Sequence, residues 1–183
     1  TSSGLSVRDG DRFRPLPAAQ TGGADKGCIG TGCLDFLPNG AVIAATHGGL
    51  GVLEGGAFRI LPETRSWNLR AVYVAPDGWI WATSLTTVHR GRLGPDHNIV
   101  WDTRGQPWGL PPAEYGAPLM DGSRRVWIRS RKALYVLEPG SATFRLSDLQ
   151  FPSVGRLASL AVDRQGQLWV PAFNGLWHRD ESS

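Results

Sequence analysis

The chain has 183 residues, 41% apolar and 19% charged, with a net charge of +3 and two cysteines. That length supports one domain with a real core. The small basic excess is scattered without a run of like charges, which argues against nucleic-acid binding, and no apolar stretch is long enough to span a membrane as a helix. With 24 Gly, 13 Pro and 8 Trp, the composition fits many short strands joined by tight turns. The first residues, Thr1-Ser-Ser-Gly4, lack the basic start and apolar segment of a secretion signal, so the sequence reads as cytosolic or as a mature or excised piece.

In chain order, Gly4-Leu-Ser-Val7 and Arg12-Phe-Arg-Pro-Leu16 read as two strands flanking a turn at Asp9-Gly-Asp11. A four-strand pattern follows and recurs. Its second strand carries an anchor residue, Ile43, Trp81, Trp127 or Trp169, at spacings of 38, 46 and 42 residues. Seven residues after each anchor stands an aliphatic residue: Leu50, Val88, Leu134 and Leu176. A turn precedes each anchor, at Asn39-Gly40, Asp77-Gly78, Gly122-Ser-Arg124 and Gln165-Gly166, and a short apolar run precedes each turn, at 34–37, 71–75, 117–120 and 157–162. A closing strand appears at Phe58-Arg-Ile60, Ile99-Val-Trp101 and Phe144-Arg-Leu146.

Each unit is therefore four short strands, A to D, and none can build a core alone. Stacked four-stranded sheets of about 40 residues are the propeller solution. No helical period persists, so the expectation is an all-β, partial β-propeller of about four blades of four short antiparallel strands, with essentially no helix. The blades fall at 1–20 (a half blade with strands C and D), 33–63, 70–102, 117–148 and 157–183 (outer strand missing). Closed rings typically have more blades, roughly six to eight, so the chain reads as a fragment. Its exposed blade edges would pair with the remainder of a parent propeller or with a second copy as a homodimer. The alternative is that residues 1–16 close on the last blade.

The repeat resembles the two-component regulator propeller repeat. The residues that carry the likeness are Val162-Asp163-Arg-Gln-Gly166-Gln-Leu168-Trp169 followed by Gly175-Leu176. Looser copies are Val74-Ala-Pro-Asp77-Gly78-Trp-Ile80-Trp81 with Thr87-Val88, and Arg125-Val126-Trp127 with Ala133-Leu134-Tyr135. Asn39-Gly40-Ala-Val-Ile43 keeps the turn without the Trp. The resemblance implies a periplasmic or extracytoplasmic sensor segment of a bacterial signalling protein. It would have no catalysis of its own, any histidine kinase or diguanylate cyclase module lying outside this chain. Ligand-binding members of such families often take carbohydrates, so an unidentified small ligand of that class is the expected partner. Neither nucleic acid nor membrane contact is expected within the segment.

Ligands of propellers usually meet the face that carries the B–C loops and D–A connections. Here the B–C loops hold Thr46-His47, 84–87, 129–132 and Phe173-Asn174, and the connections span 21–32, 64–68, 103–116 and 151–155. Exposed rings beside polar donors would suit sugar recognition. The candidate ligand-binding residues are His47, Trp67, Asn68, Trp108, Tyr115, Arg129, Arg131 and Asn174. Against this stands the reading that the rings cap blades or pack under loops. The four histidines, at 47, 89, 97 and 178, lack metal-ligand spacing, so no metal and no cofactor is expected. Asp35, Asp77, Asp121 and Asp163 sit where side chains bond turn amides. Cys28-Ile-Gly-Thr-Gly-Cys33 can close a small disulfide loop or hold two free thiols. A propeller enzyme of the lyase or lactonase type and a protein-interaction scaffold are the alternative functions; the enzyme would need convergent His, Glu or Asp residues, which do not recur in register.

Overall fold

The computed structural model describes residues 6–16, 32–96, 98–102, 108–148 and 159–178. Four A–B turns close with one hydrogen-bond pattern, which sets the register of everything else. In the first, Leu37 N–H donates to Ala41 O and Gly40 N–H to Leu37 O, both at 2.8 Å. The same pair of bonds recurs from Ala75, from Asp121 and from Asp163, at 2.7–3.1 Å. The fourth turn position has a positive φ each time: 82° at Gly40, 84° at Gly78, 64° at Arg124 and 83° at Gly166. Three units place glycine there, where the left-handed region costs it nothing. Arg124 breaks the sequence rule while keeping the backbone.

Between these turns the strands pair in chain order. The first blade is β3 (Leu34–Phe36), β4 (Val42–Thr46), β5 (Gly49–Glu54) and β6 (Ala57–Ile60). A one-turn 3₁₀ helix at Pro62–Thr64 leads out of it. The second blade is β7 (Leu69–Val74), β8 (Trp79–Ser84), β9 (Val88–Leu93) and β10 (Ile99–Asp102). The third is β11 (Leu119–Met120), β12 (Val126–Arg129), β13 (Leu134–Leu137) and β14 (Arg145–Leu146). The fourth is the three-stranded sheet β15 (Ala161–Val162), β16 (Leu168–Ala172) and β17 (Gly175–His178). A separate hairpin, β1 (Ser6–Asp9) and β2 (Arg12–Pro15), precedes them. All pairings are antiparallel between sequence neighbours, so the four sheets form a four-blade β-propeller arrangement.

Among the described residues, three of the four buried apolar clusters lie between two blades, and the fourth, Ala44, Phe58 and Ile60, lies within the first. Ile43 and Leu50 of the first blade pack with Val72, Ile80 and Ala82 of the second. Trp81 and Val88 of the second pack with Met120, Val126 and Ile128 of the third. Trp127 and Leu134 of the third pack with Leu160, Leu168 and Val170 of the fourth. The anchor and the aliphatic residue seven positions on thus form the forward face of a blade. The two residues flanking the next anchor form the backward face that receives them. Burying an anchor of this size is worth roughly 2–3 kcal/mol or more, which explains why short strands hold together without individual cores.

Polar ties reinforce the stack. Val72 N–H donates to Gly32 O at 2.8 Å and Val74 N–H to Asp35 Oδ2 at 2.7 Å, joining blades one and two. Tyr73 Oη accepts from Met120 N–H at 3.1 Å, joining two and three. Gly122 N–H donates to Gly166 O at 2.9 Å, joining three and four. A Cβ on Gly166 would stand 2.7 Å from Gly122 Cα, so these two turns touch only because neither has a side chain.

Candidate functional site

The B–C loops share a device that positions whatever they carry. Three residues after the anchor stands a hydroxyl: Thr46, Ser84 and Ser130. Thr46 Oγ1 donates to Gly49 O at 2.8 Å and accepts from Gly48 N–H. Ser84 Oγ accepts from Thr86 and Thr87 N–H, and Ser130 Oγ accepts from Lys132 and Ala133 N–H. Such side-chain closures fix a short loop without help from neighbours. The fourth blade has Ala172 at this position, and its loop lacks the clasp.

In the third blade the clasped loop meets the connection from the second. Tyr115 bridges Ser130 in an isolated antiparallel pair, and Gly116 N–H donates to Arg129 O at 3.0 Å. This docking opens a cleft of about 310 Å³ lined by 111–114, 130–132 and Tyr135. Pro111, Pro112 and the Tyr135 ring make its apolar wall. Arg131 donates twice to Glu114 Oε2, from Nε at 3.1 Å and from Nη2 at 2.8 Å, and exposed Lys132 adds a second cation. Tyr135 is half-buried, and burial raises its pKa, so its hydroxyl is a donor at neutral pH.

Of the predicted site residues, Arg131 lines this cleft and Tyr115 supports it from behind. Tyr115 and Trp108 are not exposed rings, which corrects that expectation. Trp108 is buried against Trp81 and Phe144, and its Nε1 donates to Val88 O at 3.1 Å. Tyr115 is buried edge-on to Tyr135, with its hydroxyl donating to Pro111 O. The connection that carries both rings is longer than the others, and folding it onto the third blade hides them. Arg129 is buried too and donates to Pro171 O in the fourth blade, so it ties blades together. His47 and Asn174 sit in the B–C loops of other blades; His47 Nε2 is buried with no hydrogen-bond partner among the described residues, and Asn174 Oδ1 accepts from Trp177 Nε1 at 3.3 Å. Asn68 is exposed with φ 49°. Trp67 lies face to face with His89, centroids 3.7 Å apart and planes 6° apart, and edge-on to Trp101.

Glu114, Lys132 and Tyr135 were not singled out by sequence reasoning, although they lie in or beside the two loops it chose. The Arg90 stack was also missed. Its guanidinium lies 4.2 Å from the Trp79 ring centre and 4.3 Å from that of Trp108, and it pairs with Asp102 at 2.7 Å. Alternation of Trp79, Trp81 and Arg90, Arg92 on paired strands was the available signal.

The chain resembles solved structures at low identity. It is similar to an extracellular domain assigned to the hybrid two component system BT4673 from B. thetaiotaomicron, at 14% identity and TM-score 0.63, covering 82% of this chain and 20% of that one. The corresponding domain of BT3049 from B. thetaiotaomicron gives 16% identity and TM-score 0.61, over 81% and 21%. Virginiamycin B lyase from Staphylococcus aureus gives 16% identity and TM-score 0.64, over 100% and 64%. The shared fold is the β-propeller. The chain spans about one fifth of the sensor domains and under two thirds of the lyase. No family model matches it, and no curated protein does.

As a propeller surface, the cleft offers binding chemistry: an apolar wall, a phenol donor, and two cations against one carboxylate. Among the described residues no group of three or more His, Cys, Asp or Glu side chains could hold a metal ion, and no helix is long and apolar enough to cross a membrane. Cys33 is disulfide-bonded; Cys28, the other cysteine of the chain, lies outside the described residues, as do His97 and most of the connections 21–32 and 151–155.

Proposed function

We propose that this chain is a non-catalytic segment of an extracytoplasmic sensor propeller and that it binds a small carbohydrate in the cleft between 111–114 and 130–135. The observation that carries this reading is the docking of the 2–3 connection onto the clasped Ser130 loop, which sets rigid donors beside an apolar wall. A sugar presents C–H faces and hydroxyls together. Tyr135 and the two prolines supply the surface for the first, and Tyr135, Arg131 and Lys132 supply donors for the second. The disulfide at Cys33 fits an oxidising compartment. The only carboxylate in the lining, Glu114, is held in an ion pair, and the phenol stays protonated, so the cleft is suited to holding a ligand rather than to proton abstraction.

A thermal-shift screen with neutral and acidic oligosaccharides tests it. A hit that raises Tm for the wild type, and that Lys132→Ala and Tyr135→Ala both weaken, supports the reading. A hit unaffected by both variants, or turnover of the added sugar, contradicts it.

A further inference from the structure

The third B–C loop carries more than its fold needs. Its backbone is set by the Ser130 clasp, and the same kind of clasp holds the loops of Thr46 and Ser84. Directly after the clasp residue those loops carry His47-Gly48 and Leu85-Thr86, where the third carries Arg131-Lys132. A clasp that closes around such different side chains requires neither cation, so the two serve what enters the cleft.

The groups left over in that cleft are few and specific. Tyr115 commits its hydroxyl to Pro111 O, and the Tyr73 hydroxyl accepts from Met120 N–H, whereas the Tyr135 hydroxyl has no hydrogen-bond partner among the described residues. Arg131 donates from Nε and Nη2 to one oxygen of Glu114, Oε2. That pairing neutralises the carboxylate and leaves Oε1 without a hydrogen bond among the described residues. Lys132 is exposed, and its ammonium forms no ion pair among the described residues. The cleft therefore presents one uncompensated positive charge, one phenol donor and one carboxylate oxygen beside the Pro111 and Pro112 wall.

We infer that the ligand is an acidic sugar, with its carboxylate held by Lys132 and the Tyr135 hydroxyl and a ring hydroxyl donating to Glu114 Oε1. This rests on the carbohydrate reading of the cleft and adds the charge of the ligand. A neutral sugar leaves the ammonium uncompensated. A carboxylate makes both donors charge-assisted, and such bonds are about twice as strong as neutral ones. The ligand's charge is not opposed by Glu114, because Arg131 already balances that carboxylate.

The test is calorimetric binding of two matched pairs of disaccharides, glucuronate against glucose and galacturonate against galactose at the same terminal position. The wild type is expected to bind the acid of at least one pair about tenfold more tightly than its neutral partner. The preference should shrink in about 1 M salt. It should vanish in Lys132→Ala, whose Tm without sugar stays at the wild-type value because the site is exposed, and survive in Lys132→Arg. Acid and neutral partners that bind alike overturn the inference, and if Tyr135→Ala weakens both, the carbohydrate reading still stands. An acid preference that persists in Lys132→Ala overturns the inference as well. No binding by any of these sugars overturns both.

Discussion

The Asp121 carboxylate accepts the indole N–H of Trp127 at 2.7 Å, six residues along the chain and across the A–B turn. Asp163 holds Trp169 in the same way at 2.8 Å. In the second blade Ala75 occupies this turn position, and Trp81 Nε1 is buried without a partner among the described residues. Aspartate here does two things: one oxygen accepts turn amides, and the other orients the anchor ring that fills the space to the next blade.

Replacing Asp121 with Ala removes acceptors from Trp127 Nε1, Arg125 N–H and Arg125 Nε at once. Asp121 is buried, so the loss takes an acceptor from a buried indole and from a half-buried guanidinium. The expected cost is about 3 kcal/mol, read as a lower urea midpoint at unchanged slope. A loss below about 0.5 kcal/mol would mean the ring is held by packing alone.

Arg124 adopts φ 64° at the turn position that is glycine in the other three blades. Arg124→Gly removes a left-handed penalty of about 1–2 kcal/mol while adding unfolded-chain entropy of about 0.5–1 kcal/mol. The variant is expected to be more stable by up to about 1 kcal/mol in the same urea titration.

Lowering the pH should weaken the fold in two separate windows. Burial under Trp67 holds His89 down from 6.5 to about 4. A depressed histidine contributes stability that is complete above the unfolded value and is lost as pH falls from 6.5 toward about 4. Asp163 is held below its ordinary 3.8, first by the Trp169 indole and then by the Gln167 amide. Its contribution is present above that value and lost only below it. Tm measured against pH is expected to decline through the first window in the wild type, and His89→Phe should flatten that decline while leaving the more acidic one.

Because Cys33 is disulfide-bonded, reduction of the chain should raise its intact mass by two hydrogens. Cys33→Ser should cost about 2 kcal/mol for a short closed loop. An unchanged mass on reduction would remove the support for an oxidising compartment.

The blade architecture was legible because the period-two strands, the turns and the anchors at Trp81, Trp127 and Trp169 recur in order. The interblade cores follow from the same register. The site was less legible. Trp108 and Tyr115 stand outside the repeat, so periodicity said nothing of their burial; the long connection that carries them packs onto the third blade instead of standing off it. Arg129 looked like a loop cation but belongs to the last position of β12, where its side chain reaches Pro171. The Thr46, Ser84 and Ser130 clasps were readable at a constant offset from the anchors, and Tyr135 was readable only as the third strand's partner of Ile128.

An amide chemical-shift titration with an oligosaccharide that raises Tm locates binding on the chain itself. Binding in the cleft predicts shifts concentrated at 113–116 and 130–135, saturating together, and lost in Lys132→Ala. Shifts centred instead on His47, Trp67 or the Phe173-Asn174 loop, with 130–135 unmoved, would contradict it.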